Sequence, residues 1–139
     1  MISQHAALII LTTGFAIVDA MPAIADDIGV TPDEMKWEQH TNLGTSVILE
    51  GDPSKPGPYV VRLMAPPHQT GTPHTHSNAE DITVISGQLG FGLGPVFDRS
   101  KGRMLPPGSF FHLPANTLHF GWTEDEGAVI QAHGMGPFP

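Results

Sequence analysis

The stretch GTPHTHSNAEDITVISG, residues 71–87, holds two histidines and two acids in its first half and then becomes apolar. In an extended strand, residues two apart point to the same side, so His74 and His76 present both imidazoles to one face. Glu80 follows after a short polar loop that can return its carboxylate to the same place. Histidines in a segment rich in Thr and Pro are also typical of a solvated turn. At this point the stretch predicts either a metal site or a polar loop.

The residues that follow indicate which of the two acids faces the interior. Ile82 and Val84 alternate with more polar positions, which is typical of a half-buried strand. By this alternation Glu80 lies on the apolar, inward face and Asp81 points outward. Among the distant histidines, His119 is the best placed to join the pair, because it follows a turn and β-barrels bring distant strands together.

Composition limits the possible functions. The chain has 139 residues with 40% hydrophobic content, enough for one domain with a real core. Its formal net charge of −8 repels nucleic-acid backbones and anionic membrane surfaces, so nucleic-acid binding is not expected. The sequence contains no cysteine, which excludes disulfides, iron–sulfur clusters and thiol nucleophiles. Any metal must therefore be held by histidines and carboxylates.

The first 25 residues differ from the rest. Residues 6–18 form an uncharged apolar run, followed by Ala23-Ile24-Ala25, and this is the outline of a signal peptide. The run is shorter than the roughly 20 residues that a stable membrane-spanning helix needs, so no stable membrane insertion is expected. We predict export to the periplasm or outside the cell, with a mature domain of residues 26–139. The alternative is a cytoplasmic protein whose residues 1–25 form an N-terminal extension that packs on the domain or on a partner subunit.

Glycine and proline divide the remainder into short segments, which indicates many strands and turns. Helical signal is limited to one turn near residues 32–37, with Thr31 as its cap. Strands without intervening helices favour an antiparallel sandwich or barrel. Turns are predicted at residues 51–58, 86–88 and 106–108. The predicted strands are residues 45–49, 59–64, 81–86, 88–93, 109–113, 117–122 and 128–132.

Two spacings resemble the signature motifs of the cupin family. In the first, His74-Thr75-His76 is followed after three residues by Glu80 and after six more by Gly87. In the second, Gly108, Pro114 and His119 stand at the family's spacing. The resemblance implies a single all-β cupin barrel, a jelly roll also described as a double-stranded β-helix. It also implies that His74, His76, Glu80 and His119 are metal ligands.

Three positions depart from the family pattern. The first glycine of the first motif falls on His68, which is either a loop residue or an additional imidazole near the pocket mouth. In the second motif Asn116 replaces a glycine and Thr123 replaces the final asparagine. A glycine in such a turn supplies a positive φ, and Asn is the residue that best substitutes for it. We therefore expect the fold to be kept.

The resemblance implies a metal-dependent enzyme that acts on a small organic molecule, with dioxygenase chemistry favoured over lyase, decarboxylase or isomerase chemistry. The alternative is a non-catalytic cupin that binds or senses a small ligand. Iron or manganese is the expected ion, and zinc, nickel or copper also suit the ligand set. Cupin barrels commonly pair through their sheets, so a homodimer is expected by resemblance.

Three further polar residues are candidates to support the site. His112, Gln131 and His133 are candidates to orient the ligands, with a surface or structural role as the alternative for each. Tyr59 is the only tyrosine, so a mechanism that needs a tyrosine base at the metal is not favoured. The string Gly90-x-Gly92-x-Gly94 lacks the spacing and the following helix of a nucleotide loop, so these are predicted to be bend or close-approach glycines in strands.

Overall fold

The computed structural model describes residues 29–39, 41 and 43–138, and this part of the chain is almost entirely β. Its strands are β1 Glu38–Gln39, β2 Thr45–Glu50, β3 Gly57–Ala65, β4 Glu80–Leu93, β5 Gly102–Leu105, β6 Phe110–Leu113 and β7 His119–Gly136. One short 3-10 helix, Arg99–Lys101, precedes β5. The all-β prediction is confirmed. The predicted signal segment, residues 1–25, lies outside the described residues.

The strands form one antiparallel sheet in the order β1-β2-β3-β7-β4-β5, and β6 also pairs with β4. The two long strands, β4 and β7, pair along nearly their whole length, from Glu80 opposite Gly134 to Leu93 opposite His119. The first half of β4 has β6 on its other side, and the second half has β5. The first part of β7 receives two isolated bridges, from Thr70 and from His74.

The sheet formed by β4, β7 and their neighbours curls until its far ends meet. A straight strand of the length of β4 would separate its two ends by about 40 Å. Glu80 nevertheless lies 3.4 Å from His76, whose ring centroid is 4.9 Å from that of His119 at the other end of the ladder. The sheet is therefore curled into a barrel, and residues at its far ends meet in space.

The core fills the inner face of this barrel. Alternate residues of β4 and β7 point inward and pack together, as the period of two in a strand requires. The buried cluster consists of Ile82, Val84, Leu89, Leu105, Leu113, Ala128, Ile130 and Ala132. Phe120 and Trp122 are also buried, but they lie on the opposite face of β7 from His119, each opposite a glycine of β4, and they pack against Phe97 rather than in this cluster.

Those glycines explain the string noted in the sequence. A Cβ on Gly90 would lie 2.0 Å from the Trp122 ring, and a Cβ on Gly92 would lie 2.4 Å from the Phe120 ring. The two aromatic rings thus occupy the space that side chains on β4 would need. The prediction of close-approach glycines is confirmed for these two positions.

Two predicted strand boundaries were wrong. Residues 81–86 and 88–93 form one strand, because Gly87 makes an irregularity in the ladder at a positive φ of 66° and not a hairpin turn. Residues 117–122 and 128–132 are likewise joined in β7, where Gly127 has a φ of 67°. A glycine at positive φ serves a β-bulge as well as a turn, so composition alone does not separate the two. Strand β5 was not predicted.

The other turn predictions agree with the structure. The connection at residues 51–56 joins β2 to β3, and Ser109 N–H donates to Pro106 across the second predicted turn. Near Pro32 the chain makes a single turn, in which the Glu34 N–H donates to the Thr31 carbonyl and the Thr31 N–H donates to the Glu34 carboxylate.

The described residues contain no helix long and apolar enough to cross a membrane.

Candidate metal centre

Three histidines from two segments of the chain come together at the start of β7. His74 and His119 are cross-strand neighbours, and each backbone N–H donates to the other's carbonyl at 3.0 Å. His76 lies two residues along the extended segment, on the same side as His74. The ring centroids of the three imidazoles are 4.3 to 4.9 Å apart. Antiparallel pairing therefore brings together residues that are far apart in sequence.

These three side chains have the arrangement of a metal-binding group. One ligand atom from each of His74, His76 and His119 lies within 4.8 Å of the others, and no second such group occurs among the described residues. His119 is buried, His76 is half-buried and His74 is exposed. The group thus connects the barrel interior with solvent, which is what a small ligand needs in order to reach it.

Hydrogen bonds fix the chemical form of two of the rings. The Nδ1 of His74 lies 2.7 Å from the Thr72 carbonyl, and the Nδ1 of His119 lies 2.9 Å from the Thr117 carbonyl. A carbonyl only accepts, so each Nδ1 carries the proton and donates it. The Nε2 atom of each ring is then left with a free lone pair. Backbone carbonyls commonly hold the metal-binding histidines of proteins in this way.

The third ring, that of His76, makes no hydrogen bond within the described part of the chain. Both of its nitrogen atoms are nevertheless shielded from solvent. Such groups are rare in native proteins, and an ion at the site would satisfy one of them. Burial, followed by the charges of His119 and His74, lowers the pKa of His76 to about 4. Burial also lowers the pKa of His119. Both rings are therefore neutral at pH 7, which is the form that binds metals.

Glu80 is adjacent to this group. It is buried at the first position of β4, its Oε1 accepts a hydrogen bond of 2.7 Å from the Tyr59 hydroxyl, and its Oε2 is 3.4 Å from His76 Nδ1. Burial raises the pKa of the Glu80 carboxyl above its ordinary value, and the Tyr59 hydrogen bond opposes this. The three-histidine group itself does not include Glu80. The carboxylate is therefore a neighbour of the histidine cluster that Tyr59 holds in place.

The comparisons with known proteins bear on the fold. No family model matches the sequence, and no curated protein matches it. Among solved structures, KdgF from a Halomonas species is similar, with a TM-score of 0.60 and 22% identity over 76% of this chain and 91% of that one. The polyketide cyclase RemF from Streptomyces resistomycificus has a TM-score of 0.66 and 19% identity, covering 80% of each chain.

An RmlC-like cupin from Shewanella frigidimarina gives a TM-score of 0.61 at 15% identity, over 77% of this chain and 89% of that one. The chain has the cupin fold. The expected fold is therefore confirmed, while identities this low show the fold of the chain and not its activity.

The cupin site includes one residue that sequence reasoning missed. Tyr59 lies in β3, 2% exposed, and burial together with Glu80 holds the pKa of its hydroxyl above the usual range. Gly134, opposite Tyr59 in β7, leaves room for it, because a Cβ there would lie 2.4 Å from the hydroxyl. Tyr59 therefore does reach the site, as a hydrogen-bond donor to Glu80. No local motif marks it, since the contact depends on β3 pairing with β7.

The three candidate helper residues lie on the other side of the sheet. Asp81 is opposite both His112 and His133, and the Nδ1 of His112 lies 2.8 Å from the Asp81 carboxylate. Gln131 is hydrogen-bonded to His133 and to Arg62. Strand alternation places all of them on the outer face, away from the imidazole cluster. The geometry does not support a ligand-orienting role for His112, Gln131 or His133.

The structure also shows the conformation or contacts of the three residues that depart from the cupin motifs. Asn116 has a φ of 59°, so it takes the left-handed conformation expected for the glycine it replaces. His68 has a φ of 58° in an exposed turn, where its Nε2 is 3.4 Å from Asp125. Thr123 is buried, and its hydroxyl donates to Pro66 and accepts from the Gln69 N–H. His68 is thus a loop residue, and Thr123 secures the turn that contains it.

Proposed function

We propose that this cupin is a metal-dependent enzyme acting on a small organic molecule, with a divalent ion held by His74, His76 and His119 and with Glu80 as the fourth ligand. The observation that carries the proposal is the pair of Nδ1 hydrogen bonds that leave Nε2 of His74 and His119 free beside the ring of His76. Neither His76 nitrogen makes a hydrogen bond within the described part of the chain. Glu80 is adjacent to this group, with its Oε2 3.4 Å from His76 Nδ1.

The donor set suits a divalent first-row transition metal. Three neutral imidazoles and one carboxylate leave a net charge near +1 and, in octahedral geometry, open positions for substrate and water or for substrate and dioxygen. Such an ion supplies Lewis-acid polarisation or, if it is redox active, oxygen activation. Iron or manganese fits oxygen activation, whereas zinc and nickel fit Lewis-acid chemistry. Copper suits the imidazole donors as well.

Two reaction classes follow. Oxygenation of the dioxygenase type is the leading class on the family resemblance. Lyase or cyclase chemistry is the second, supported by the similar solved structures, whose names include a polyketide cyclase and the DMSP lyase DddQ from Ruegeria pomeroyi. A cupin that binds a small ligand without turnover is the alternative to both. All three use the same imidazole cluster, so metal binding is tested first.

Metal content is measured on protein purified without chelators, for the wild type and for His76→Ala and Glu80→Ala. We expect close to one divalent ion per chain in the wild type and a loss of at least tenfold in affinity for each variant. His112→Ala is the matched control, because it removes an imidazole from the outer face. Absence of stoichiometric metal, or equal metal content in all four proteins, contradicts the ligand assignment.

Oxygen uptake then separates the reaction classes. Metal-loaded protein is incubated with candidate diketones, phenols and thiols, and dioxygen consumption is followed with an electrode. Uptake that is lost in His76→Ala supports an oxygenase. Substrate turnover that continues without oxygen supports a lyase or cyclase. Tight ligand binding without any turnover supports the binding cupin and rejects the enzyme.

We further propose that the chain is exported and that it forms a homodimer. The apolar run at residues 6–18 supports export, and N-terminal sequencing of protein from its native host tests it, since an intact Met1 contradicts cleavage. Exposed apolar side chains such as Val96, 66% exposed, and Leu93, 56% exposed, support self-association. Sedimentation equilibrium tests it, and a monomer at micromolar concentration rejects the dimer.

A further inference from the structure

The three imidazoles of the site differ in what holds them. His74 and His119 are each fixed by a hydrogen bond from Nδ1 to a carbonyl two residues before them. His76 has no such bond on either nitrogen. Its Nδ1 is 3.4 Å from Glu80 Oε2, so the orientation of the His76 ring depends on this contact and on the atoms that pack against the ring.

The aromatic ring of Phe138 packs against His76. The two ring centroids are 4.6 Å apart at an interplanar angle of 58°. The same phenylalanine lies edge-on to Tyr59, with centroids 6.0 Å apart and an angle of 80°. A single side chain from the end of the chain therefore touches both the imidazole that lacks a hydrogen bond and the tyrosine that holds Glu80.

Hydrogen bonds tie the last residues to the loop that carries the site. We call residues 135–138 the C-terminal strap. The side-chain amide of Asn78, which lies between His76 and Glu80 in sequence, donates to the Met135 carbonyl at 2.7 Å and to the Pro137 carbonyl at 3.0 Å. The N–H of Phe138 donates to the Pro53 carbonyl at 2.6 Å. The strap is thus attached both to the site loop and to the connection between β2 and β3.

We infer that Phe138 is a positioning residue of the metal centre: the C-terminal strap presses its ring against His76 and replaces the hydrogen bond that orients the other two imidazoles. This inference rests on the proposed function, because positioning His76 matters only if His76 binds a metal. The contact between Phe138 and His76 is present in the metal-free protein, so it can be tested separately. Asn78 supports the same role from the other side, because it anchors the strap to the loop between two proposed ligands.

The first test uses metal-free, full-length protein. Side-chain dynamics of the histidine rings are measured by NMR relaxation in the wild type and in Phe138→Ala. We expect the His76 ring to become more mobile while the His74 and His119 rings keep their order, because their hydrogen bonds remain. Phe110→Ala is the matched control, since it removes the same atoms from the exposed outer face.

The second test measures metal affinity by competition with a chelator, using Co²⁺ and its visible spectrum. Phe138→Ala is expected to weaken Co²⁺ binding about tenfold and to alter the spectrum. Phe138→Tyr, which keeps the ring, restores both. Asn78→Ala is expected to weaken binding in the same direction by a smaller factor.

Two outcomes overturn the proposal: unchanged His76 mobility in Phe138→Ala, or an equal loss of order in all three rings, which would mean general loosening. If the wild type binds no Co²⁺, the proposed metal function fails. The relaxation measurement on the metal-free protein still decides the role of Phe138 in that case.

Discussion

Glu80 and Asp81 are neighbours at the start of β4, yet they lie on opposite faces of the sheet and in opposite environments. Glu80 is 6% exposed and receives a hydrogen bond from buried Tyr59. The Asp81 side chain is 52% exposed and pairs with a histidine, His112, that is 58% exposed. Both are carboxylates beside an imidazole. The inner one is desolvated and held in one geometry, whereas the outer one remains hydrated.

The comparison shows that residue type alone does not make a site. Histidines of the outer face lie beside Asp81 but remain in water, where a single ion pair contributes little. On the inner face, burial makes every unpaired polar atom costly, so an ion that satisfies these atoms gains affinity. The following predictions compare residues of the inner face with matched residues of the outer face.

The largest expected effect is the low basicity of His76. In metal-free protein its imidazole should titrate with a midpoint near pH 4, well below the ordinary 6.5, which is more than a hundredfold weaker proton binding. Side-chain ¹H–¹⁵N NMR spectra measure this, with His112 observed in the same spectra as the outer-face reference. A His76 midpoint at or above 6.5 contradicts the burial argument.

The sign of the stability effect follows from linkage. The unfolded chain protonates this imidazole near pH 6.5, while the folded chain resists protonation until about pH 4. The unfolded state thus binds more protons, and the free energy of unfolding falls as the pH drops from 6.5 toward 4. The free energy of unfolding is measured against pH in Glu80→Gln. The raised pKa of Glu80 would otherwise change stability with the opposite sign over the same pH range.

The second prediction removes the hydrogen-bond partner of each carboxylate in turn. Tyr59→Phe leaves the buried Glu80 Oε1 without its donor, and we expect metal affinity to fall about 10- to 100-fold. The matched change on the outer face is His112→Phe, which removes the partner of Asp81 and should leave metal affinity unchanged. Isothermal titration with a chelator-buffered metal measures both, and equal affinities in the two variants reject the role of Tyr59.

The third prediction concerns the cost of the buried charge. Glu80→Gln keeps the shape and the acceptor oxygen for Tyr59 but removes a desolvated carboxylate whose pKa is raised by burial. We expect the metal-free variant to be more stable by about 0.5–2 kcal/mol, the usual range for a single stabilising substitution. Urea unfolding at pH 7 measures the change. A less stable variant would show that the charge is compensated in the fold.

The smallest expected effect is that of Asp81→Asn, which removes the outer charge. Exposed ion pairs contribute little, so the free energy of unfolding should change by less than about 0.5 kcal/mol. Urea unfolding under the same conditions gives the comparison with Glu80→Gln. A change larger than 1 kcal/mol would mean that the outer row of His112, Asp81 and His133 contributes to stability as a network.

Much of this contrast was predictable from alternation. The period of two in residues 80–84 placed Glu80 inside and Asp81 outside, and the structure agrees. The resemblance to cupin motifs led to His119, which does lie beside His74. The positive φ of Asn116 was also expected from the residue that it replaces. These features depend on short-range geometry or on fixed spacings.

What could not be predicted depends on long-range packing. Tyr59 reaches Glu80 only because β3 pairs with β7 and Gly134 leaves space for its ring. Phe138 reaches His76 through a strap whose anchors are scattered along the sequence. The bulge at Gly87 resembles a turn in composition, so the long strand β4 was divided in two. Side chains that pack around a site leave no spacing signal.

The closure of the β4–β7 ladder has a kinetic consequence. Glu80 lies at one end of the β4–β7 pairing and His119 at the other. These two residues come close together only when the barrel is closed. An ion bound to both would join the two ends of one ladder, so opening the barrel would first require the ion to leave. We therefore expect metal to act mainly on the unfolding rate, in the manner of a removable cross-link, and to extend the lifetime of the folded protein.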